Sequence, residues 1–274
     1  MPKFTTSDGL LLHYTDEGDG LPVLCLAGLT RTTRDFDYVA PHLSDVRLIR
    51  LDYRGRGASD WDPEWRNYNL VVEARDVIEL MDHLALEKAA ILGTSRGGLL
   101  AMGLAFGAKD RLLGVALNDI GPEIDPKGLE FIMGYLGKPP AAKSHAEVAR
   151  AMERGMTGFR DIPQSRWMEE AVKHYEKSGA GLAITYDPKL RDAVEEQGAQ
   201  AAPDLWPLFD ALEGLPLVCI RGENSDLLAP GTLDEMRRRR PDMIAATAVG
   251  RGHIPFLDEP EAVAALQTWI EAMK

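Results

Sequence analysis

The chain is poor in everything that would build a metal centre, a disulfide framework or a membrane span. Its two cysteines, Cys25 and Cys219, each sit inside an apolar run, Val-Leu-Cys-Leu-Ala and Leu-Val-Cys-Ile, and read as small core residues. Neither belongs to a Cys-x-x-Cys pair. No His-Glu-x-x-His and no Gly-x-x-x-x-Gly-Lys occurs, which argues against zinc, redox and phosphate-loop sites. No apolar stretch approaches the roughly 20 residues that span a bilayer. The opening Met-Pro-Lys-Phe-Thr-Thr lacks a basic region followed by an apolar core, so a cytoplasmic protein with no membrane partner is expected. Positive charge is scarce: 31 basic against 43 acidic residues leave a net charge of −12, which disfavours nucleic acid as a partner. The one basic run, Arg237 to Arg240, falls at the end of an expected helix, where cations suit the dipole and solvent.

What is present is an alternation. The 274 residues suffice for one large domain, or for one with an inserted sub-domain. Asp8-Gly9 between residues 3–7 and 10–15 signals an opening hairpin. Short apolar strands are then expected at 23–27, 46–51, 89–92 and 112–117, with helices at 68–85 and 99–106. Continuous apolar strands between helices imply a parallel sheet covered on both faces. From 121 to 203 no such strand appears; helical pieces at 126–136, 144–154, 163–176 and 189–198 suggest a helical cap inserted into a core of residues 1–120 and 204–274. The alternation resumes with strands at 217–220 and 244–249 and helices at 230–239 and 259–273.

The segment that carries chemistry is Gly93-Thr-Ser95-Arg-Gly97, a Gly-x-Ser-x-Gly that follows a buried strand and opens a helix. In that setting the turn thrusts the serine outward at the top of the sheet. Side chains two residues either side of Ser95 would collide, hence the glycines. A serine hydroxyl needs a base, and the base an orienting acid. Among six histidines, His253 alone follows a strand at the sheet's expected carboxyl edge. For the acid, Asp226 in Arg221-Gly-Glu-Asn-Ser-Asp226 is favoured; Glu223 of the same loop and Asp119, after the strand at 112–117, are the alternatives. The chain order Ser, Asp, His is that of neither major protease fold. The oxyanion donors would be the amides of Arg96 and of Leu29, with Gly28 permitting close approach.

The pieces Leu-Ala-Gly-Leu-Thr-Arg, Asp52-Tyr-Arg-Gly-Arg-Gly-Ala-Ser-Asp60, Gly-Thr-Ser-Arg-Gly-Gly, Gly-Glu-Asn-Ser-Asp and Gly-His-Ile-Pro-Phe-Leu-Asp-Glu-Pro together resemble the α/β-hydrolase superfamily over nearly the full length. The resemblance implies an α/β fold with a mostly parallel, twisted eight-stranded sheet, its second strand antiparallel, helices on both faces and a helical cap after the sixth strand. It implies no cofactor, a small-molecule substrate, and a structural Arg–carboxylate network at 52–60. The expected activity is serine hydrolysis of a carboxylic ester or lactone through an acyl-enzyme. Carbon–carbon bond hydrolases of aromatic breakdown, cofactor-free haloperoxidases and hydroxynitrile lyases share the scaffold, and a slow ligand receptor on the same fold is the non-enzymatic alternative. A serine at the elbow argues against dehalogenase and epoxide-hydrolase chemistry, which uses aspartate there.

Two departures stand out. Relatives usually carry His-Gly where this chain has Ala27-Gly28, and an apolar residue at Arg96. Arg31, Arg34 and Arg96 would place positive charge near the pocket and suit an anionic acyl substrate, although a salt bridge is the plainer role for each. Arg31, Gly28, Trp167 and Phe256 are the substrate-binding candidates. Met133, Tyr135, Met156, Phe159, Trp167 and Tyr186 are expected to roof an apolar pocket.

Overall fold

Strands whose every residue is apolar must be covered on both sides, and alternate residues then feed two separate cores. In the computed structural model, which describes residues 1–179, 181–199 and 203–274, this is what is found. Strands β1 (Lys3–Thr5), β2 (Leu11–Glu17), β3 (Leu21–Leu26), β4 (Val46–Leu51), β5 (Ala89–Thr94) and β6 (Leu112–Asn118) precede a long intervening segment. That segment holds helices α3 (Pro126–Tyr135), α4 (His145–Gly155), α5 (Gln164–His174), α6 (Leu190–Gly198) and α7 (Trp206–Asp210), with a hairpin of β7 (Tyr175–Ser178) and β8 (Gly181–Ile184). Strands β9 (Leu217–Gly222) and β10 (Ile244–Ala248) follow. The remaining helices are α1 (Leu70–His83), α2 (Arg96–Ala108), α8 (Pro230–Arg239) and α9 (Pro260–Glu271).

The main sheet runs β1-β2-β4-β3-β5-β6-β9-β10. β2 is antiparallel to both its neighbours, and the strands from β4 to β10 are mutually parallel. Leu24, Leu26, Ile91 and Cys219 face the core under α1, α2, α7 and α8, while Val23, Cys25, Leu92 and Ile220 face the one under α9. The two cysteines are thus free, fully buried and on opposite faces, with burial pushing both thiols up. The carbonyl-end loops of β3, β5, β6, β9 and β10 gather along one edge, and there the site is built.

The hairpin β7–β8 corrects the expectation of helices alone between β6 and β9. β7, Tyr-Glu-Lys-Ser, is buried at no position and has no apolar alternation, so nothing in its residues separates it from the tail of α5. The residues after β8 anchor the segment to the core: Gly57 N donates to Thr185 O (2.8 Å), Asp187 N to Gly55 O (2.8 Å) and Tyr68 Oη to Asp187 Oδ2 (2.6 Å). The loop at 52–60 is held by buried ion pairs, Arg54 to Asp62 and Asp76 and Arg56 to Glu73. Arg238 and Arg239 pair with Glu235, and Arg240 with Asp242, so most of the arginine run is absorbed by local ion pairs. No helix among the described residues is long and apolar enough to cross a membrane.

Candidate functional site

Ser95 stands between β5 and α2 with φ 50° and ψ −115°, a left-handed conformation that costs a residue bearing Cβ on the order of 1–3 kcal/mol. Its surroundings hold it there. The amides of Gly98 and Leu99 donate to Ser95 O (2.9 and 3.3 Å), and Ser95 N donates to Asn118 O (3.0 Å). A Cβ on Gly97 would land on Leu26 O, and one on Gly93 on Gly97 O, so the turn closes only with hydrogen at both positions.

Ser95 Oγ lies 3.0 Å from His253 Nε2, and His253 Nδ1 lies 2.8 Å from Asp119 Oδ2. The carboxylate that reaches the imidazole is Asp119, at the end of β6, and not the expected Asp226. Asp119 is fully buried and its charge is met by three donors: Gly222 N (2.8 Å) on Oδ1, with Ser225 Oγ (2.7 Å) and the imidazole on Oδ2. A carboxylate at this distance accepts from Nδ1–H, leaving Nε2 to accept from the serine. Asp226 is exposed, lines the mouth of the cavity and has no hydrogen-bond partner among the described residues. Glu223 instead braces the histidine loop, accepting from Gly250 N (2.9 Å). β6 and β9 are neighbours in the sheet, so acids after either strand stand close to the same imidazole and only side-chain direction separates them.

Among the described residues, neither the Leu29 nor the Arg96 amide donates to a protein acceptor, as oxyanion donors require. Tyr53 Oη donates to Ala27 O (3.1 Å) and Arg56 Nε to Leu29 O (3.0 Å), which hold the loop after β3 where relatives would carry histidine. The Arg96 side chain turns away and binds Glu73 (2.7 Å); Arg34 donates to Val172 O (3.0 Å). Of the three arginines considered for the pocket, only Arg31 lines it.

A cavity of about 710 Å³ opens over Ser95 and His253, walled by Ile132, Val148, Met152, Met156 and Phe159. Gly28, Tyr135 and Tyr186 also line it, as anticipated. Trp167 and Phe256 do not: they line a separate 30 Å³ void, packed behind the Phe159 ring at 5.6 and 5.4 Å between centroids. Met133 belongs to a small core with Tyr68, Leu136 and Leu190. Two residues that sequence reasoning did not single out, Glu170 and His174 of α5, meet Arg31 at the cavity wall.

A mostly parallel eight-stranded sheet with an elbow serine, a histidine after the last strand and a buried acid between them defines the α/β-hydrolase fold. Residues 23–266 match the alpha/beta hydrolase family, and the chain belongs to it. It is 35% identical over 261 residues to a 3-hydroxybutyrate-oligomer hydrolase of Cupriavidus necator, covering 92% of this chain and 89% of that one. It is 31% identical to a putative 2-succinyl-6-hydroxy-2,4-cyclohexadiene-1-carboxylate synthase of Bacillus subtilis, with 94% and 93% covered. The crystal structure of an alpha/beta hydrolase from Novosphingobium aromaticivorans superposes with a TM-score of 0.91 at 38% identity, covering 98% of this chain and 97% of that chain. The protein is thus a hydrolase of this family.

Proposed function

We propose that the protein is a serine carboxylic-ester hydrolase whose substrates are short esters of hydroxy acids. The observation that carries this reading is the continuous hydrogen-bonded chain Ser95–His253–Asp119 opening onto a 710 Å³ cavity. Ser95 Oγ attacks the ester carbonyl carbon as its proton passes to His253 Nε2. The carbonyl electron pair moves to oxygen, which the Leu29 and Arg96 amides stabilise. Collapse expels the alcohol, protonated by His253, and leaves the acyl group on Ser95. Water then gives its proton to His253 and attacks the acyl carbon; collapse returns the proton to Ser95 and releases the acid. Asp119 keeps the imidazole in the required tautomer and stabilises its cation. The segment between β6 and β9 acts as a cap that supplies most of the cavity wall over Ser95. Support for a hydroxy-acid ester comes from the Cupriavidus necator relative, whose named substrate is an oligomer of 3-hydroxybutyrate.

The test is intact-protein mass after a serine-reactive fluorophosphonate, together with turnover of short p-nitrophenyl esters. One adduct is expected, lost in Ser95→Ala and in His253→Ala along with turnover. A wild type that neither takes the label nor turns over any ester would overturn the reading.

A further inference from the structure

Arg31 sits two residues beyond the proposed oxyanion donor Leu29, and its side chain folds back over the loop. The point where a Gly28 Cβ would stand is 3.1 Å from Arg31 Cγ and 3.9 Å from Ser95 Cβ, so the arginine stem and the nucleophile flank one glycine. The guanidinium is clamped from behind. Its Nη1 meets Asp35 Oδ1 (3.3 Å), Glu170 Oε2 (3.3 Å) and His174 Nε2 (2.5 Å), and among the described residues every hydrogen bond of its side chain runs through that one nitrogen. The two carboxylates are closed to solvent, at 6% and 7% side-chain exposure, whereas the Arg31 side chain as a whole keeps 19% and lines the main cavity with Tyr135 and Tyr175. Lys173 Nζ stands 3.9 Å from Glu170 Oε1 and 4.0 Å from Asp37 Oδ2, and Asp37 also meets Arg50 (2.8 Å), so the carboxylates of Asp35, Asp37 and Glu170 face the cations of Arg31, Lys173 and Arg50. A cation held on one edge, with no protein partner for its Nε and Nη2 donors among the described residues and lining the same cavity as Ser95, has the form of a preorganised carboxylate receptor.

We infer that Arg31 binds a free carboxylate of the substrate and selects esters of hydroxy acids whose acid end is unesterified. This deepens the ester-hydrolase reading and rests on it. In a 3-acyloxy acid the carboxylate carbon is separated from the scissile carbonyl carbon by the ester oxygen and two carbons, a short span that suits an anchor lining the same cavity as Ser95. The enzyme would then remove one hydroxy acid at a time from the carboxyl end of a short oligoester.

The experiment compares the linear dimer of 3-hydroxybutanoic acid with the same dimer whose terminal carboxyl is a primary amide, in wild type, Arg31→Lys and Arg31→Met. The wild type should favour the acid by tenfold or more in kcat/KM, the scale of about 1.4 kcal/mol of differential binding. In Arg31→Met that ratio should fall towards one, with the loss in KM for the acid, and Arg31→Lys should keep part of it. Equal kcat/KM for acid and amide in the wild type, a measurement that needs no variant to fold, would overturn the carboxylate site while leaving the ester-hydrolase reading in place. So would an Arg31→Met that weakens both substrates alike, the mark of a purely structural arginine. Hydrolysis of neither dimer by a wild type that turns over p-nitrophenyl esters would overturn the inference and the choice of hydroxy-acid esters, and the absence of any ester turnover would overturn the ester-hydrolase reading itself.

Discussion

A carboxyl group with no exposure needs hydrogen-bond partners in place of its water, and Asp119 has three of them. Two come from the β9 side, Gly222 N and Ser225 Oγ, so the loop that carries Asp226 serves the site by supplying hydrogen bonds to another acid. Asp119 itself takes a φ of 57°, a conformation that aspartate tolerates better than most residues and that points its carboxylate at His253. Asp119→Asn should keep the fold but favour the wrong imidazole tautomer, lowering kcat by about 10⁴. Asp226→Asn should change kcat little. Steady-state ester hydrolysis by the two variants decides between the acids, and the reverse ranking would return the role to Asp226.

At the scale of elements, α1 does more than cover the sheet. Its first turn delivers Glu73, fully buried, between Arg56 and Arg96 at 2.7 Å from each. One carboxylate thereby ties the 52–60 loop, which holds Leu29 O through Arg56, to the first residue of α2 after the nucleophile. Burial alone would raise the Glu73 carboxyl; the two guanidiniums outweigh it and hold it below the usual carboxylate range. A carboxylate depressed in the folded state stabilises fully at pH values above its unfolded pKa, and that stability is lost as pH falls through the folded value. Glu73→Gln should therefore cost about 3–5 kcal/mol at neutral pH, because it leaves two buried cations short of a partner. The variant should also lose part of the acid-side decline of stability. Urea midpoints from neutral pH down to the carboxylate range measure both, and a variant whose stability keeps the wild-type acid slope would count against this account.

The whole molecule places its cavity between the sheet edge and the segment that follows β6. Phe159, in the turn between α4 and α5, forms a wall there: one side of its ring faces the 710 Å³ cavity and the other packs on Trp167 and Phe256 around the 30 Å³ void. Phe159→Ala should join the two spaces at a cost of about 2 kcal/mol, less than for a fully enclosed phenylalanine. The preference among p-nitrophenyl esters should move towards longer acyl chains. An unchanged chain-length profile would mean that the acyl group does not reach this wall.

The strands and helices of the core were legible because continuous apolar runs and helical spacing are local signals; β4 matches its expected span of 46–51, and α8 that of 230–239. The elbow at Ser95 and the histidine at 253 were legible because each chemistry needs residue types in a short, ordered window, glycine either side of a strained serine and a histidine directly after a strand. Three things were decided only by folding. The choice of Asp119 over Asp226 depended on which of two adjacent strand ends aims its carboxylate at the imidazole, a matter of rotamer and donor supply across some hundred residues of chain. The displacement of Trp167 and Phe256 from the main cavity depended on Phe159 packing in front of them. The Arg31–Glu170–His174 cluster joins a loop after β3 to the end of α5, a contact between residues 139 and 143 positions apart that no sequence window contains. Sequence by itself determined the strand–helix alternation and singled out Ser95 and His253, since each is marked by its near neighbours; the tertiary structure decided the partners, since a hydrogen bond or a cavity wall is a relation between distant segments.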